Sequence, residues 1–400
     1  MKIIQVNALY GEKSTGTIVK ELDLLIQQRG FESYVAYRET TEDPNQGLKV
    51  GNNIEYAFHA VRTRIDGKQG YCSAISTTGL IKKLERIKPD VIHLHNVHSN
   101  FLHLPILVNF AKRNHIALVL TLHDCWFFTG KCYHFADIAC EKWKTGCGDC
   151  PKRRMDIPST IKDSSASVYK DRIKMFDYDR LYVVGCSKWI TRMAKQSPIF
   201  AKANIRSIYN GLDTAVFKPN AGQREISTRF LVVTMANKWF EPENKDTRTA
   251  VLDFLGDDSK IMIIGCDENE IKACENDPRI ICKGYIKNRS QLASLYAQGD
   301  VFLNLTHIDN LPTVNMEALS CGTPVITFDA GGSGELVVNG KTGFVVDVDD
   351  ATGIIEALNR VRQGEIQSAD CRRYAEKEFD KNSNFEKYLH LYDEIMGTRR

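Results

Sequence analysis

Between residues 301 and 337 the chain reads VFLNLTHIDNLPTVNMEALSCGTPVITFDAGGSGELV. A buried strand runs into a loop carrying Asp309, and a helix opens near Thr313 with Glu317 in its opening turns. Backbone N–H groups at such a helix end lack intrahelical partners and suit a diphosphate. A carboxylate one turn in can accept hydrogen bonds from ribose hydroxyls, and Asp309 can do the same for a sugar hydroxyl. Gly331 and Gly332 open a second turn whose bare backbone lets a ligand approach closely. On these residues alone, Glu317 could equally serve only to favour the helix dipole and Asp309 could be a surface carboxylate.

A second reactive stretch is HDCWFFTGKCYHFADIACEKWKTGCGDCP, residues 123 to 151, which holds five of the twelve cysteines. Cys132, Cys140, Cys147 and Cys150 give C-x7-C-x6-C-x2-C, and four thiolates can close a tetrahedral structural zinc site. The spacing differs from paired C-x-x-C motifs, so buried free thiols are the rival reading. A loop of this length is expected to have little core of its own, which a metal clip would remedy. Cys125 reads as a packed thiol beside Trp126, and His134 as a spare ligand. His95 and His98 resemble a metal pair, but no carboxylate-bearing helix follows, which favours a substrate-side loop. The loop GEKSTG, ending at Gly16, could also offer backbone N–H groups to a phosphate.

These residues sit in a regular frame. Short apolar runs (KIIQVNAL, SYVAYR, DVIHLHN, IALVLTLHD, RLYVVGCS, NIRSIY) alternate with amphipathic segments such as TIVKELDLLIQQRG and LPILVNFAKRNH. This β-α-β rhythm predicts a parallel sheet covered by helices. It restarts after residue 220 with FLVVTMA, KIMIIGCD, RIICKGY, VFLNLTH and PVITFD. Two doubly wound α/β domains follow, and ligands in such sheets bind beyond the carboxyl ends of strands. Facing domains would bring loops 11–16, 123–124 and 306–313 to opposite walls of one cleft.

At 400 residues the chain is too long for one ordinary core and comfortable for two. No run approaches a membrane span, and the N-terminus lacks a signal-peptide pattern, so a cytoplasmic location is expected. Thiols there stay reduced, which turns the cysteines toward packing or metal binding. Residues 1–205 carry 30 Lys and Arg against 20 Asp and Glu, a net +10, and the remainder is −7. A basic half favours an anionic partner. Nucleic acid is disfavoured, because the basic residues are scattered and no binding motif accompanies them.

The 301–337 stretch resembles the acidic-x7-Glu motif of retaining family-4 glycosyltransferases with a GT-B fold, of the bacterial capsule, O-antigen and exopolysaccharide branch. The chain has Asp309-x7-Glu317 followed by Ala318, Gly322, Pro324 and Val325. YNGLDTAVFKP (209–219) resembles the family's domain junction, GYIKNRSQLASLYAQGDVFLN (284–304) its approach to the donor site, and NFEKYLHLYDEIM (384–396) its final helix. The first acidic position is Asp where Glu is common, and the glycines that often follow are replaced by Asn310-Leu311-Pro312. Both departures bear on which sugar is bound.

The resemblance implies a GT-B fold with an acceptor-side domain at 1–207 (including the cysteine-rich loop 125–151), a nucleotide-sugar domain at 208–382, and a segment 383–400 packing back on the first. It implies catalytic roles for His123, Lys245, Asp309 and Glu317, and donor contacts from Gly16, Lys238, Asn310, Leu311 and Thr313. Lys238 and Lys245 would neutralise the leaving diphosphate, so no catalytic metal is required. The implied reaction moves a sugar, with retention, from a UDP- or GDP-linked donor to an acceptor hydroxyl. The acceptor would be a lipid-linked oligosaccharide, reached from a peripheral position on the inner membrane face with Arg153 and Arg154 as surface contacts. The alternatives are a GT-B sugar-nucleotide epimerase and a non-catalytic nucleotide-sugar-binding protein.

Overall fold

The computed structural model describes residues 1–220 and 226–397. They form two compact units: Met1–Ile208 together with the chain from Phe385 onward, and Tyr209–Asn384. The limits expected from sequence, 207/208 and 382/383, fall within two residues of these. Residues 398–400 of the expected C-terminal segment lie outside the described residues.

Unit 1 is built on seven parallel strands: β1 (Lys2–Tyr10), β2 (Glu32–Thr40), β3 (Gly47–Lys49), β4 (Val91–Leu94), β5 (Ala117–Leu122), β6 (Leu181–Gly185) and β7 (Asn204–Ser207). Their order is β3-β2-β1-β4-β5-β6-β7. Every residue of VIHL and ALVLTL is buried, which is why these strands read as unbroken apolar runs rather than alternating ones. Successive side chains still divide between the faces. Ile4, Val6, Ile92, Leu118 and Leu120 enter one core. Ile3, Val91, Ala117 and Val119 enter the other, which Phe385, Leu389 and Ile395 of the helix Lys381–Gly397 complete.

Unit 2 has six parallel strands: β8 (Phe230–Met235), β9 (Ser259–Ile264), β10 (Ile280–Lys283), β11 (Val301–Asn304), β12 (Val325–Phe328) and β13 (Gly343–Val346). Their order, β10-β9-β8-β11-β12-β13, reverses between β8 and β11. Chain connections leave in opposite directions there and open a crevice beyond the strand ends. The same reversal lies between β1 and β4 in unit 1.

Three elements of unit 1 depart from the sequence reading. The first helix spans Lys13–Gln28, so Gly16 is in its opening turn and not in a loop. A helix at Asn53–Asp66, capped by Asn52 and closed by Gly67 at φ 74°, was not anticipated. Its buried residues are His59, Thr63 and Asp66, while Ile54, Phe58 and Val61 face outward. Third, the cysteine-rich loop has a core of its own. Phe128, Phe135 and Trp143 are buried, and Phe135 stacks on Trp143 with ring centroids 4.6 Å apart. Among the described residues no helix is long and apolar enough to cross a membrane.

Candidate functional site

In unit 2 the β8–β11 reversal gathers the residues singled out by spacing. The loop after β11 carries Asp309, Asn310 and Leu311 and ends at Pro312, which caps the helix Thr313–Ser320 without a side-chain hydrogen bond. Asp309 Oδ1 accepts the Leu311 N–H at 3.0 Å and fixes the turn. The loop after β12 closes on it: Gly332 N–H donates to the Asp309 carbonyl at 2.9 Å. A Cβ at Gly331 would overlap that carbonyl, and its φ is 62°. Glycine is therefore required at 331 for two loops to meet, not only for ligand access.

Glu317 lies one turn into the helix, half-buried. Burial pushes its carboxyl up to about 7, partly offset by the Tyr296 hydroxyl and the Arg289 charge. Tyr296 is wholly buried and its hydroxyl is held far above its ordinary value by burial and by Glu317. The carboxylate is thus held where ionisation is costly, an arrangement that a ligand donating hydrogen bonds would relieve.

Lys238 and Lys245 follow β8, Lys238 in the short helix Ala236–Trp239 where the sequence reading expected a loop. Lys245 opens the helix Lys245–Leu255, exposed and without an ion-pair partner among the described residues. Lys238 pairs with Glu241 at 2.8 Å, so this cation is already partly neutralised. Glu241 also lies 3.9 Å from His307, whose Nε2 is 2.8 Å from Asp349 Oδ1. Asp347 and Asp349 have Asp-x-Asp spacing, but Asp349 is engaged by this histidine.

Sequence reasoning missed the residues that hold this segment. Fully buried Asn244 donates to the Lys238 carbonyl at 2.8 Å and to the Leu305 carbonyl at 2.9 Å, tying the lysine segment to the end of β11. Arg248 donates to the carbonyls of Trp239 (2.7 Å) and Glu241 (2.9 Å). The only available signal was an asparagine and an arginine flanking Lys245, with nothing in their spacing to indicate a clamp.

In unit 1 the ends of β4 and β5 hold a run of histidines. His93 bonds Tyr392 through Nδ1 and Thr121 through Nε2, both at 2.7 Å. His95 Nδ1 is 3.1 Å from His123 Nε2, with the rings stacked. His98 Nε2 lies 2.8 Å from Asp124 Oδ2. His95 and His98 therefore have separate partners and do not form a pair. Burial draws His123 down to about 4, so the ring is neutral near pH 7. Burial raises the Asp124 carboxyl, but the His98 ring and the Trp126 N–H outweigh it and leave it below its usual value. Gly16 packs on β1, where a Cβ would stand 3.2 Å from Leu9 Cβ. Gly11 N–H donates to the Gly16 carbonyl at 2.9 Å.

Cys132, Cys140, Cys147 and Cys150 line one cavity of about 20 Å³. Cys125 is buried away from it, and His134 does not line it. All twelve cysteines are free thiols. Among the described residues no three His, Cys, Asp or Glu side chains stand ready to hold a metal ion as placed.

The chain is similar to known glycosyltransferases. Residues 15–216 match the family described as Glycosyltransferase Family 4, and residues 248–378 match Glycosyl transferases group 1. The chain is 28% identical over 268 residues to the candidate colanic acid biosynthesis glycosyl transferase WcaC of Escherichia coli (strain K12), covering 64% of each chain. It is 25% identical over 217 residues to the Escherichia coli UDP-Gal:alpha-D-GlcNAc-diphosphoundecaprenol alpha-1,3-galactosyltransferase, covering 49% of this chain and 55% of that one. The chain thus spans somewhat under two thirds of the length of these two relatives. Anabaena Alr3699/HepE, solved in complex with UDP, shares the fold over 98% of this chain and 100% of its own, with a TM-score of 0.64 at 14% identity. With two parallel-sheet, Rossmann-like units in a GT-B fold and a family match over half its length, the chain belongs to Glycosyltransferase Family 4.

Proposed function

We propose that this protein transfers a sugar, with retention, from a nucleoside-diphosphate sugar to a hydroxyl of a lipid-linked oligosaccharide in bacterial surface-polysaccharide assembly. The observation that carries the reading is the β8–β11 reversal. Lys245 follows β8, and Asp309 with the uncapped helix end that leads to Glu317 follows β11, so all stand on the segments that leave these two neighbouring strands, which supports the reading. Diphosphate, ribose and sugar hydroxyls are the groups those donors and acceptors match.

In the proposed step the acceptor oxygen bonds to the anomeric carbon on the face that the diphosphate leaves. The carbon–phosphate-oxygen bond breaks, and the acceptor proton passes to the departing phosphate. No enzyme nucleophile is needed. Lys245 and the helix end at Thr313 stabilise the charge on the leaving group, beside the turn formed by Asn310 and Leu311. Lys238 joins them on exchanging Glu241 for phosphate. Glu317 holds the ribose and Asp309 a sugar hydroxyl. The neutral His123 is proposed as a hydrogen-bonding group for the transferred sugar, and Gly16 as a small residue that admits the donor. No divalent metal is assigned to this step.

The UDP complex of the Anabaena protein and the undecaprenol-linked substrate of the Escherichia coli galactosyltransferase support the donor and acceptor classes. Peripheral membrane contact at a cytoplasmic face is part of the same proposal. Of the expected contacts Arg154 is exposed, and the outward face of the helix Asn53–Asp66 adds an apolar surface. Arg153 is spent on the Ser159 and Thr160 carbonyls. Ile54, Phe58 and Ile75 line one open groove together with Glu55; on the same helix Arg64 is exposed, and Arg62 is paired with Asp66 at 3.2 Å.

The test is a panel of UDP and GDP sugars incubated with undecaprenyl-diphosphate-linked oligosaccharides, read by nucleotide release and by NMR of the new anomeric centre. A product of retained configuration is expected. Isomerised donor without acceptor would identify an epimerase, and binding without turnover a non-catalytic protein.

A further inference from the structure

We propose that Cys132, Cys140, Cys147 and Cys150 bind one structural zinc ion that clips the 125–163 insertion of unit 1. The four side chains come from positions spread over nineteen residues and line a single small cavity. Its volume, about 20 Å³, is that of one small guest, a single ion or a single water. Around it the insertion has only three short helical turns, Trp126–Phe128, Ala136–Ile138 and Lys142–Lys144, so no long hydrogen-bond ladder holds its path.

One sulfur already receives a backbone hydrogen bond. Gly130 N–H donates to Cys147 Sγ at 3.1 Å. Backbone donors of this kind stabilise thiolate and orient it. Residue 130 must be glycine for this approach, because a Cβ there would stand 2.7 Å from Cys147 Cβ and 2.6 Å from the Ser165 carbonyl.

The independent observation is charge. Arg172 is fully buried, with its guanidinium 3.9 Å over the Trp126 ring and hydrogen-bonded to the carbonyls of Trp126 and Thr129. Its Nε and one Nη have no partner. Lys131 is 2% exposed and donates only to the Arg153 carbonyl (2.9 Å) and the Ser159 hydroxyl (3.0 Å). Neither cation has an ion-pair partner among the described residues. The nearby carboxylates are committed elsewhere: Asp124 to His98, Asp163 to the Cys150 and Ser165 N–H groups, and Asp156 to Lys152. Cys147 and Cys132 lie close enough to act on the Arg172 charge, beside Tyr71 and Asp124, and Cys150 and Cys132 on Lys131, beside Asp163 and Asp156.

Two buried unpaired cations are costly. Zinc with four thiolates carries a net charge of −2 and would balance them. On binding, the thiols lose their protons and the sulfurs rotate inward to complete the tetrahedron. Zinc fits better than a hard cation, because the donor set is sulfur alone.

Metal analysis of protein purified without added metal should give close to one zinc per chain. The Cys147→Ser, Cys150→Ser double variant should retain a small fraction of that, whereas Cys125→Ser, outside the cavity, should retain all of it. A measurement on the unaltered protein guards against a double variant that fails to fold. After strong chelation, Tm should fall and recover with zinc, and cobalt should bind one per chain with the spectrum of a tetrahedral tetrathiolate site. Zinc well under one per chain with Tm unmoved by chelation would overturn the proposal. Zinc retained in full by a folded double variant would do the same.

Discussion

Glu317→Gln separates function from stability, because the proposed site holds a carboxylate where folding disfavours it. Its carboxyl is raised from 4.5 to about 7 chiefly by burial. Each pKa unit corresponds to roughly 1.4 kcal/mol, which bounds the cost of an ionised Glu317 at about 3 kcal/mol. Residual solvent contact screens part of this, leaving about 1–3 kcal/mol. The sign follows from the direction of the shift. With the folded pKa above the unfolded one, the unfolded chain binds fewer protons between about 4.5 and 7. Wild-type stability therefore falls as pH rises through that window. Glutamine keeps a partner for the Tyr296 hydroxyl and carries no charge. The variant should match wild type at pH 5 and exceed it at pH 8, by roughly 2–10 °C in the Tm of a unit this size. Scanning calorimetry at both pH values reads this, and isothermal titration with UDP and GDP should show weakened binding. A variant less stable than wild type at pH 8, or an equal difference at both pH values, would refute the reasoning and make Glu317 a structural anchor.

Lys245→Ala should lower kcat/KM by about 10²-fold or more with Tm unchanged, because the side chain is exposed and carries only leaving-group charge. Unaltered kcat/KM would remove it from the site. Wild-type nucleoside-diphosphate affinity should fall as pH drops from 8 to 6, since ribose hydroxyls need an ionised Glu317; a flat profile would count against that contact. Transfer should proceed in buffer free of magnesium and manganese, and acceleration by either ion would argue for metal assistance. Phe58→Asp should reduce sedimentation with anionic vesicles without lowering Tm, the ring being 61% exposed; undiminished binding would place the membrane contact elsewhere.

What the sequence determined by itself is what repeats or lies close along the chain. VIHL and ALVLTL read as strands because both faces of their sheet are covered, which leaves no polar alternation. The Asp309-to-Glu317 interval is one loop and one helical turn, so a local pattern fixes both residues at the end of β11. The helix Asn53–Asp66 escaped notice although its Asn cap and Gly stop are local, because its polar side faces the protein and its apolar side does not. Gly331 could be read as a turn residue, but only the fold brings it against Asp309. Asn244 reaches Leu305, sixty-one residues on, through a strand pairing that no spacing encodes. The cysteines announced themselves by number, whereas their shared cavity depends on packing across the insertion. The two unpaired cations beside it are ordinary surface types in sequence, and only tertiary burial makes them a demand for negative charge.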